Sequence, residues 1–134
     1  MKGVKLIEIK KVVELDGTLT VMEEGKQIPF AIKRIFMVMN VAEGKSRGDH
    51  ATKKTKLILF PVSGSCNVIV DNGKEQETYV MNDASKGLYI DEMIWRSMQK
   101  FSKDCVMMAV CDRPFEPGNE TYDDYNEFIK ALEK

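Results

Sequence analysis

The sequence predicts an all-β fold, a small antiparallel β-barrel or jelly roll with a C-terminal helix. Three observations lead to this prediction. Short runs of β-branched and apolar residues fill most of the 134-residue chain. Turn residues separate these runs about every 8 to 12 residues, which is the spacing of sandwiches and barrels. Helical periodicity is confined to the last residues, so the helix is expected to lie against a body made of strands.

The strands can be placed in order along the chain. Residues 6–13 alternate loosely between apolar and charged side chains, and residues 18–22 follow an Asp-Gly turn. The clearest signal is the hairpin at 65–81, where an Asn-Gly pair supplies the positive φ that a tight turn needs. Apolar, β-branched runs predict further strands at 32–41, 56–62, 87–91 and 105–111.

The C-terminal residues 121–134 carry a helical pattern. Apolar side chains recur there at helical spacing, and acidic residues crowd the start, where the helix dipole favours them. Thr121 or Asn119 is expected to cap this helix. No repeat or linker interrupts the chain, so we expect one domain, residues 1–134.

The composition argues against several classes of protein. The net charge of −1 provides no field that would attract nucleic acid, and no apolar run is long enough to span a membrane. The first residues lack the apolar block of a signal peptide. Cys66, Cys105 and Cys111 are odd in number and show no CxxC spacing, so we expect reduced thiols in the cytoplasm. With one histidine and scattered cysteines, no metal site is expected.

The only histidine, His50, lies in the segment RGDHATKK, residues 47–54. A histidine with a pKa of about 6.5 can act as an acid or a base near neutrality. The neighbouring Arg47 and Lys53 should lower this pKa and favour the neutral, basic form. Two alternatives remain open: His50 could bind a metal together with Asp49, or it could form a local hydrogen bond at a strand edge.

Arginines are the second set of candidate functional residues. Arginine binds phosphate oxygens with two parallel hydrogen bonds and keeps its charge. Arg47 precedes a glycine, and Arg34 lies in an otherwise apolar predicted strand. If Arg34 points inward it needs an anion, supplied by the protein or by a ligand. Periodicity leaves an outward, solvated Arg34 equally possible.

Five segments together resemble the nucleotide-sugar 3,4-ketoisomerases, small cupins that act on dTDP-4-keto-6-deoxyglucose. The pairing of IPF and IKR with RG-HA-K, followed by a GSC-VI-D-G hairpin, carries the resemblance most specifically. The segments span nearly the whole chain: DGTLTVMEEGKQIPFAIKRIF (16–36), RGDHATKK (47–54), SGSCNVIVDNG (63–73), GLYIDEMIWRSM (87–98) and FSKDCVMM (101–108).

The resemblance implies a cupin fold, a homodimer with exchanged strands, a dTDP-linked sugar as ligand, and no metal or other cofactor. It implies that a ketone moves from C4 to C3 of a dTDP-4-keto-6-deoxyhexose through an enediol. The products would serve the synthesis of 3-amino or 3-acetamido deoxysugars for surface glycans. By this resemblance His50 is the catalytic base, Arg34 and Arg47 bind the diphosphate, and Thr52 and Trp95 line the substrate pocket.

The departures from the family pattern fall in the expected site. Thr52 stands where the family has a second histidine, and a neutral hydroxyl is not a base near pH 7 without help. Other family side chains are replaced as well, at Gly17, Phe36, Met37, Leu57 and Arg96. Two interpretations follow: His50 alone moves the proton, or the chain is a non-catalytic nucleotide-sugar-binding cupin or accessory subunit. A metal-dependent cupin oxidoreductase is a third hypothesis.

Overall fold

Twelve β-strands and one α-helix form the protein in a computed structural model that describes residues 1–134. The strands are β1 Val4–Glu8, β2 Lys10–Glu14, β3 Gly17–Val21, β4 Arg34–Met39, β5 Arg47–Thr52, β6 Leu57–Ser63, β7 Cys66–Asp71, β8 Gln76–Met81, β9 Lys86–Ile90, β10 Trp95–Gln99, β11 Val106–Cys111 and β12 Thr121–Tyr122. The helix, α1, covers Tyr125–Leu132. The predicted all-β fold with a C-terminal helix is confirmed.

The strands form two five-stranded antiparallel sheets. The first has the order β1-β9-β6-β11-β4 and the second has the order β12-β5-β10-β7-β8. The hairpin of β2 and β3 belongs to neither sheet. Because the two large sheets share no strand, the arrangement is the jelly-roll form of the prediction and not a barrel closed by hydrogen bonds.

The main core lies between the two sheets. Alternate residues of β6, β9 and β11 face alternate residues of β7 and β10, as period-two side-chain placement requires. Leu59, Leu88 and Met107 from the first sheet, and Val68 and Val70 from the second, are fully or almost fully buried. A smaller apolar cluster around Ile28 and Ile58 covers the outer face of the first sheet. One end of the space between the sheets remains open and forms the cavity described below.

The C-terminal helix packs on the outer face of the second sheet. Phe128 is completely buried, and its ring lies 5.8 Å from that of Trp95 on β10. Asp124, and not Thr121 or Asn119, caps the helix, because its carboxylate accepts a hydrogen bond from the Glu127 amide at 3.0 Å. This eight-residue helix is far too short to span a bilayer, and the chain has no other helix.

The strand predictions fail mainly where polar side chains face inward. The run at 6–13 is divided between β1 and β2, because the Ile9 amide leaves the ladder and donates to the Ser85 carbonyl at 2.8 Å. Strands β5 and β10 were not expected, since both place charged residues on their inner faces. Both strands contribute residues to the cavity.

Candidate functional site

A cavity of about 360 Å³ opens between the two sheets, near the edge strand β4. This volume is within the usual range for small-molecule sites. The wall is half apolar, and three of its six polar side chains are arginines. The lining residues are Arg34, Phe36, Met37, Val38, Arg47, Gly48, His50, Thr52, Leu57, Leu59, Arg96, Met98, Phe115 and Glu120.

A β-bulge in β5 brings two consecutive residues, Arg47 and Gly48, to the cavity. The register between β5 and β10 shifts at this point, where Gly48 adopts a φ of +95°. Such a bulge changes the side-chain alternation, so neighbours can point to the same face. Asp49 holds the bulge by accepting hydrogen bonds from the hydroxyls of Ser97 at 2.6 Å and Ser46 at 2.7 Å. The local geometry therefore positions Arg47.

His50 lies directly opposite Arg96 in the pairing of β5 with β10. Both side chains reach the cavity. Burial, and secondly the Arg96 charge, lower the pKa of His50 below its ordinary value of 6.5. The imidazole is consequently neutral at pH 7 and has a free nitrogen lone pair, as a general base requires. The sequence predicted this direction but attributed it to Arg47 and Lys53.

Arg96 is a buried cation with no carboxylate in contact. It is 3% exposed, and its Nε has no hydrogen-bond partner. Burial lowers its pKa to about 10, so it remains protonated near neutrality. Its Nη2 donates to the Thr52 hydroxyl at 3.3 Å. A buried cation with an unused donor favours an anionic or strongly polar ligand beside it.

Thr52 is a structural neighbour of Arg96. Its side chain is almost completely buried, and its hydroxyl donates to the Thr55 carbonyl at 2.7 Å. The same oxygen accepts the hydrogen bond from Arg96. Because its one proton is used for the backbone, the hydroxyl fixes the guanidinium and is not free to donate to a ligand.

Arg34 points inward and meets an anion of its own chain. Its Nη1 donates to Oε1 of Glu120 at 2.7 Å, and its guanidinium carbon lies 5.8 Å and 5.7 Å from the ring centres of Phe36 and Phe115. Burial alone would lower the pKa of Arg34, but hydrogen bonds with Glu120 and Cys111 outweigh it and raise that pKa. The inward alternative left open by the sequence is the one observed.

Glu120 and Phe115 are cavity residues that the sequence did not reveal. Both belong to the connection between β11 and β12, which has no regular pattern. Glu120 precedes β12, and its carbonyl accepts a hydrogen bond from the Lys53 amide at 2.9 Å. The pairing of the two-residue strand β12 with β5 brings this carboxylate beside the cavity. Only tertiary structure could identify it, because one glutamate in an acidic tail carries no signal.

The structure brings four of the five predicted site residues together. Arg34, Arg47, His50 and Thr52 line one cavity, whereas Trp95 does not. Trp95 is on the opposite face of β10, where its ring packs edge-on against Tyr125 at 5.3 Å. The expectation that Trp95 lines the pocket is corrected: strand alternation directs Arg96 into the cavity and Trp95 toward α1. No three histidine, cysteine or carboxylate side chains cluster as metal ligands would.

Comparison with known proteins identifies the family. The family model described as FdtA, WxcM-like, C-terminal, matches residues 2–133. The chain belongs to this WxcM-like family. It is 35% identical over 130 residues to the TDP-4-oxo-6-deoxy-α-D-glucose-3,4-oxoisomerase of Aneurinibacillus thermoaerophilus, covering 96% of this chain and 94% of the relative. The resemblance inferred from the sequence is confirmed.

Solved structures of sugar 3,4-ketoisomerases share the fold. The TDP-fucose-3,4-ketoisomerase WlaRA of Campylobacter jejuni superposes with a TM-score of 0.90 at 32% identity, covering 98% of this chain and 96% of WlaRA. The sugar 3,4-ketoisomerase QdtA of Thermoanaerobacterium thermosaccharolyticum, solved in complex with TDP, gives a TM-score of 0.94 at 29% identity. The coverage is 99% of this chain and 96% of QdtA.

Substitution of Thr52 by the nearly isosteric valine tests the structural role of its hydroxyl. Thr52→Val leaves the Thr55 carbonyl and the Arg96 Nη2 without their partner. We expect a loss of about 1–3 kcal/mol in the free energy of unfolding, measured by urea denaturation. Thr121→Val, which removes a more exposed hydroxyl bonded to Asp123, is the control and should cost less. Equal losses would contradict the role given to Thr52.

Proposed function

We propose that the protein is a TDP-sugar 3,4-ketoisomerase, which moves the keto group of a TDP-4-keto-6-deoxyhexose from C4 to C3. The observation that carries this proposal is a neutral, half-buried His50 in a cationic cavity, in a chain that aligns with a 3,4-oxoisomerase along almost its whole length. The net reaction moves hydrogen within one molecule, so it balances without a redox cofactor.

The reaction needs a base that reaches two neighbouring carbons. His50 removes the proton from C3, the C–H electron pair forms the C3–C4 double bond, and the C4 oxygen takes the negative charge of an enediolate. The O3 proton then leaves, the ketone forms at C3, His50 returns a proton to C4, and the C4 oxygen receives a proton last. Arg96, opposite His50, supplies positive charge where the enediol oxygens become negative.

The cationic wall fits a nucleotide diphosphate. The cavity contains three arginines and one carboxylate. Arg47 is the exposed one, and we assign it the main contact to the diphosphate. Arg34 uses Nη1 for Glu120 and has further donors for an anion. The TDP present in the QdtA structure supports thymidine diphosphate as the nucleotide part of the substrate.

The non-catalytic alternative was suggested by the replacement of a family histidine with Thr52. It is not favoured, because the relatives at 35% and 32% identity are named as isomerases and His50 keeps the protonation state that a base needs. We also propose that the 3-keto product is a precursor of 3-amino or 3-acetamido deoxysugars for surface glycans. A ketone at C3 is the group that an aminotransferase requires. The cytoplasm, where nucleotide sugars are made, is the proposed compartment.

Turnover in D₂O tests the proposed reaction. Incubation with TDP-4-keto-6-deoxyglucose should give a 3-keto product with deuterium at C4, observed by NMR. His50→Asn should lower the rate roughly 10²- to 10⁴-fold, because the base is lost. Lys53→Gln, at the residue that follows β5, is the control and should leave the rate unchanged, since Lys53 contacts Asn119 and Tyr122 outside the cavity.

Calorimetry with TDP, together with the D₂O experiment, separates the two hypotheses. If the wild-type protein binds TDP in calorimetry but neither forms product nor takes up deuterium, the chain is a binding protein and not an isomerase. If His50→Asn keeps full activity, His50 is not the base.

The pH dependence follows from the lowered pKa of His50. A base must be unprotonated, so kcat/KM should fall only as the pH drops through a value below 6.5. Because the pKa of His50 is lower in the folded than in the unfolded chain, His50 contributes to the stability of the fold above pH 6.5. This contribution is lost as the pH falls. Arg96→Gln removes a neighbouring positive charge and should move the acidic limb of the profile to higher pH. A limb above pH 6.5 in the wild-type protein would contradict this assignment.

We further propose a homodimer with exchanged strands. The hairpin of β2 and β3 belongs to neither sheet, and it exposes apolar side chains, with Leu15 fully exposed and Leu19 59% exposed. On the edge strand β4, Ile35, Met37 and Met39 are about half exposed. An uncovered apolar edge is rare in a monomer, so a second copy that receives the hairpin is the proposed cover.

Sedimentation equilibrium tests the dimer. The wild-type chain should sediment at twice its mass of 15.3 kDa. Leu19→Asp should raise the dissociation constant about tenfold or more, because it removes the burial of one leucine. Thr18→Asp, on the other face of the same strand, is the control and should change it less. A wild-type monomer at micromolar concentration would refute the proposal.

A further inference from the structure

The proposed isomerisation moves two hydrogens, one between carbons and one between oxygens. A proton leaves C3 and one arrives at C4, while another leaves O3 and one arrives at O4. The cavity offers few groups for these four events. Arginines stay protonated near neutrality, and the Thr52 proton is used for a backbone carbonyl. His50 and Glu120 are the only remaining lining residues that exchange protons readily.

Glu120 is held in place beside the cavity. Its carbonyl accepts from the Lys53 amide at 2.9 Å, and the next residue, Thr121, pairs with Thr52. Glu120 therefore stands beside β5, the strand that carries His50. The two side chains line both the cavity and the cleft that adjoins it under the 115–123 segment. Their relative position is fixed by strand pairing and not by a free loop.

The carboxylate of Glu120 has one engaged and one free oxygen. Oε1 accepts the hydrogen bond from Arg34 Nη1 at 2.7 Å, whereas Oε2 accepts none from the protein. The side chain is 14% exposed, so the carboxylate is largely enclosed. Arg34, held between Phe36 and Phe115, fixes the orientation of the group. A fixed carboxylate with a free oxygen is suited to take up and release a proton.

We propose that Glu120 is the second catalytic residue, the one that transfers the proton between the substrate oxygens. This role rests on the function proposed above, and its proton-transfer steps balance. His50 takes the C3 proton and later gives one to C4. Glu120 Oε2 takes the O3 proton as the C3 ketone forms, and the carboxylic acid gives a proton to O4. Both residues end in their starting protonation states.

Other carboxylates near the site do not fit this role. Glu116 and Asp123 line the adjoining cleft but not the cavity. The Asp123 carboxylate accepts the hydroxyl of Thr121, and Glu116 accepts the Asn119 amide at 3.2 Å. Glu116 therefore provides a matched control, as a carboxylate of the same segment that lies outside the cavity.

Glu120→Gln tests the proposal, because glutamine keeps an acceptor for Arg34 but cannot exchange a proton. In D₂O, one NMR experiment follows both deuterium entry at C3 of the unreacted 4-keto sugar and formation of the 3-keto product. C3 exchange needs only His50, whereas product also needs the oxygen proton transfer. We expect product formation to fall roughly 10²- to 10⁴-fold. The ratio of exchange to product should rise by a factor of about ten or more. His50→Asn should lose both.

An unchanged ratio would overturn the proposal, since a residue that only positions Arg34 would lower exchange and product together. Glu116→Gln should leave both rates unchanged. Melting temperatures report whether each variant is folded. If Glu120→Gln does not fold, Glu120→Asp, which retracts the carboxylate, replaces it and should likewise raise the ratio of exchange to product. A wild-type protein without exchange or product refutes the proposed function itself, so the two failures are distinguishable.

Discussion

The site depends on the enclosure of Arg96 between the two sheets. This guanidinium has no carboxylate in contact, and its Nε has no hydrogen-bond partner. Its charge, together with burial, keeps the opposite histidine neutral. An isolated buried cation is costly, so the fold must supply compensation or leave a place for an anion. The Thr52 hydroxyl supplies only one hydrogen bond, which leaves the open cavity as the place where negative charge is favoured.

Arg34 shows the opposite solution to the same problem. It is also directed into the space between the sheets, but Glu120 neutralises it across a 2.7 Å contact and two aromatic rings lie near it. The pair of arginines thus gives the cavity two different regions. Near Arg96 the charge is uncompensated and favours a developing oxyanion. Near Arg34 the ion pair presents a carboxylate oxygen, which favours a hydroxyl donor.

The sequence predicted those parts of the fold in which apolar side chains fall on the buried face and polar side chains on the exposed face. The 65–81 hairpin, the apolar strands of the first sheet and the C-terminal helix all follow from local pattern and turn chemistry. Strands β5 and β10 escaped prediction because His50 places a polar ring and Arg96 a charge on their inner faces, where the pattern calls for apolar residues. Trp95 was wrongly assigned to the pocket because neighbouring residues of a strand, here Trp95 and Arg96, point to opposite faces. Glu120 could not be predicted, since its place depends on a two-residue strand that forms only by tertiary pairing.

Thr52, which the sequence resemblance places where the family has a second histidine, therefore has a structural role that the sequence alone did not reveal. Thr52 is 2% exposed and lies within hydrogen-bonding distance of Arg96 and of its own turn at Thr55. A histidine at this position would lack the hydroxyl that bonds both Arg96 and the Thr55 carbonyl. Thr52 and Arg96 thus form one hydrogen-bonded arrangement, which a change of residue 52 would break. In the proposed mechanism the carboxylate of Glu120, just before β12, occupies neither position, so it can transfer a proton while the buried cation stays in place.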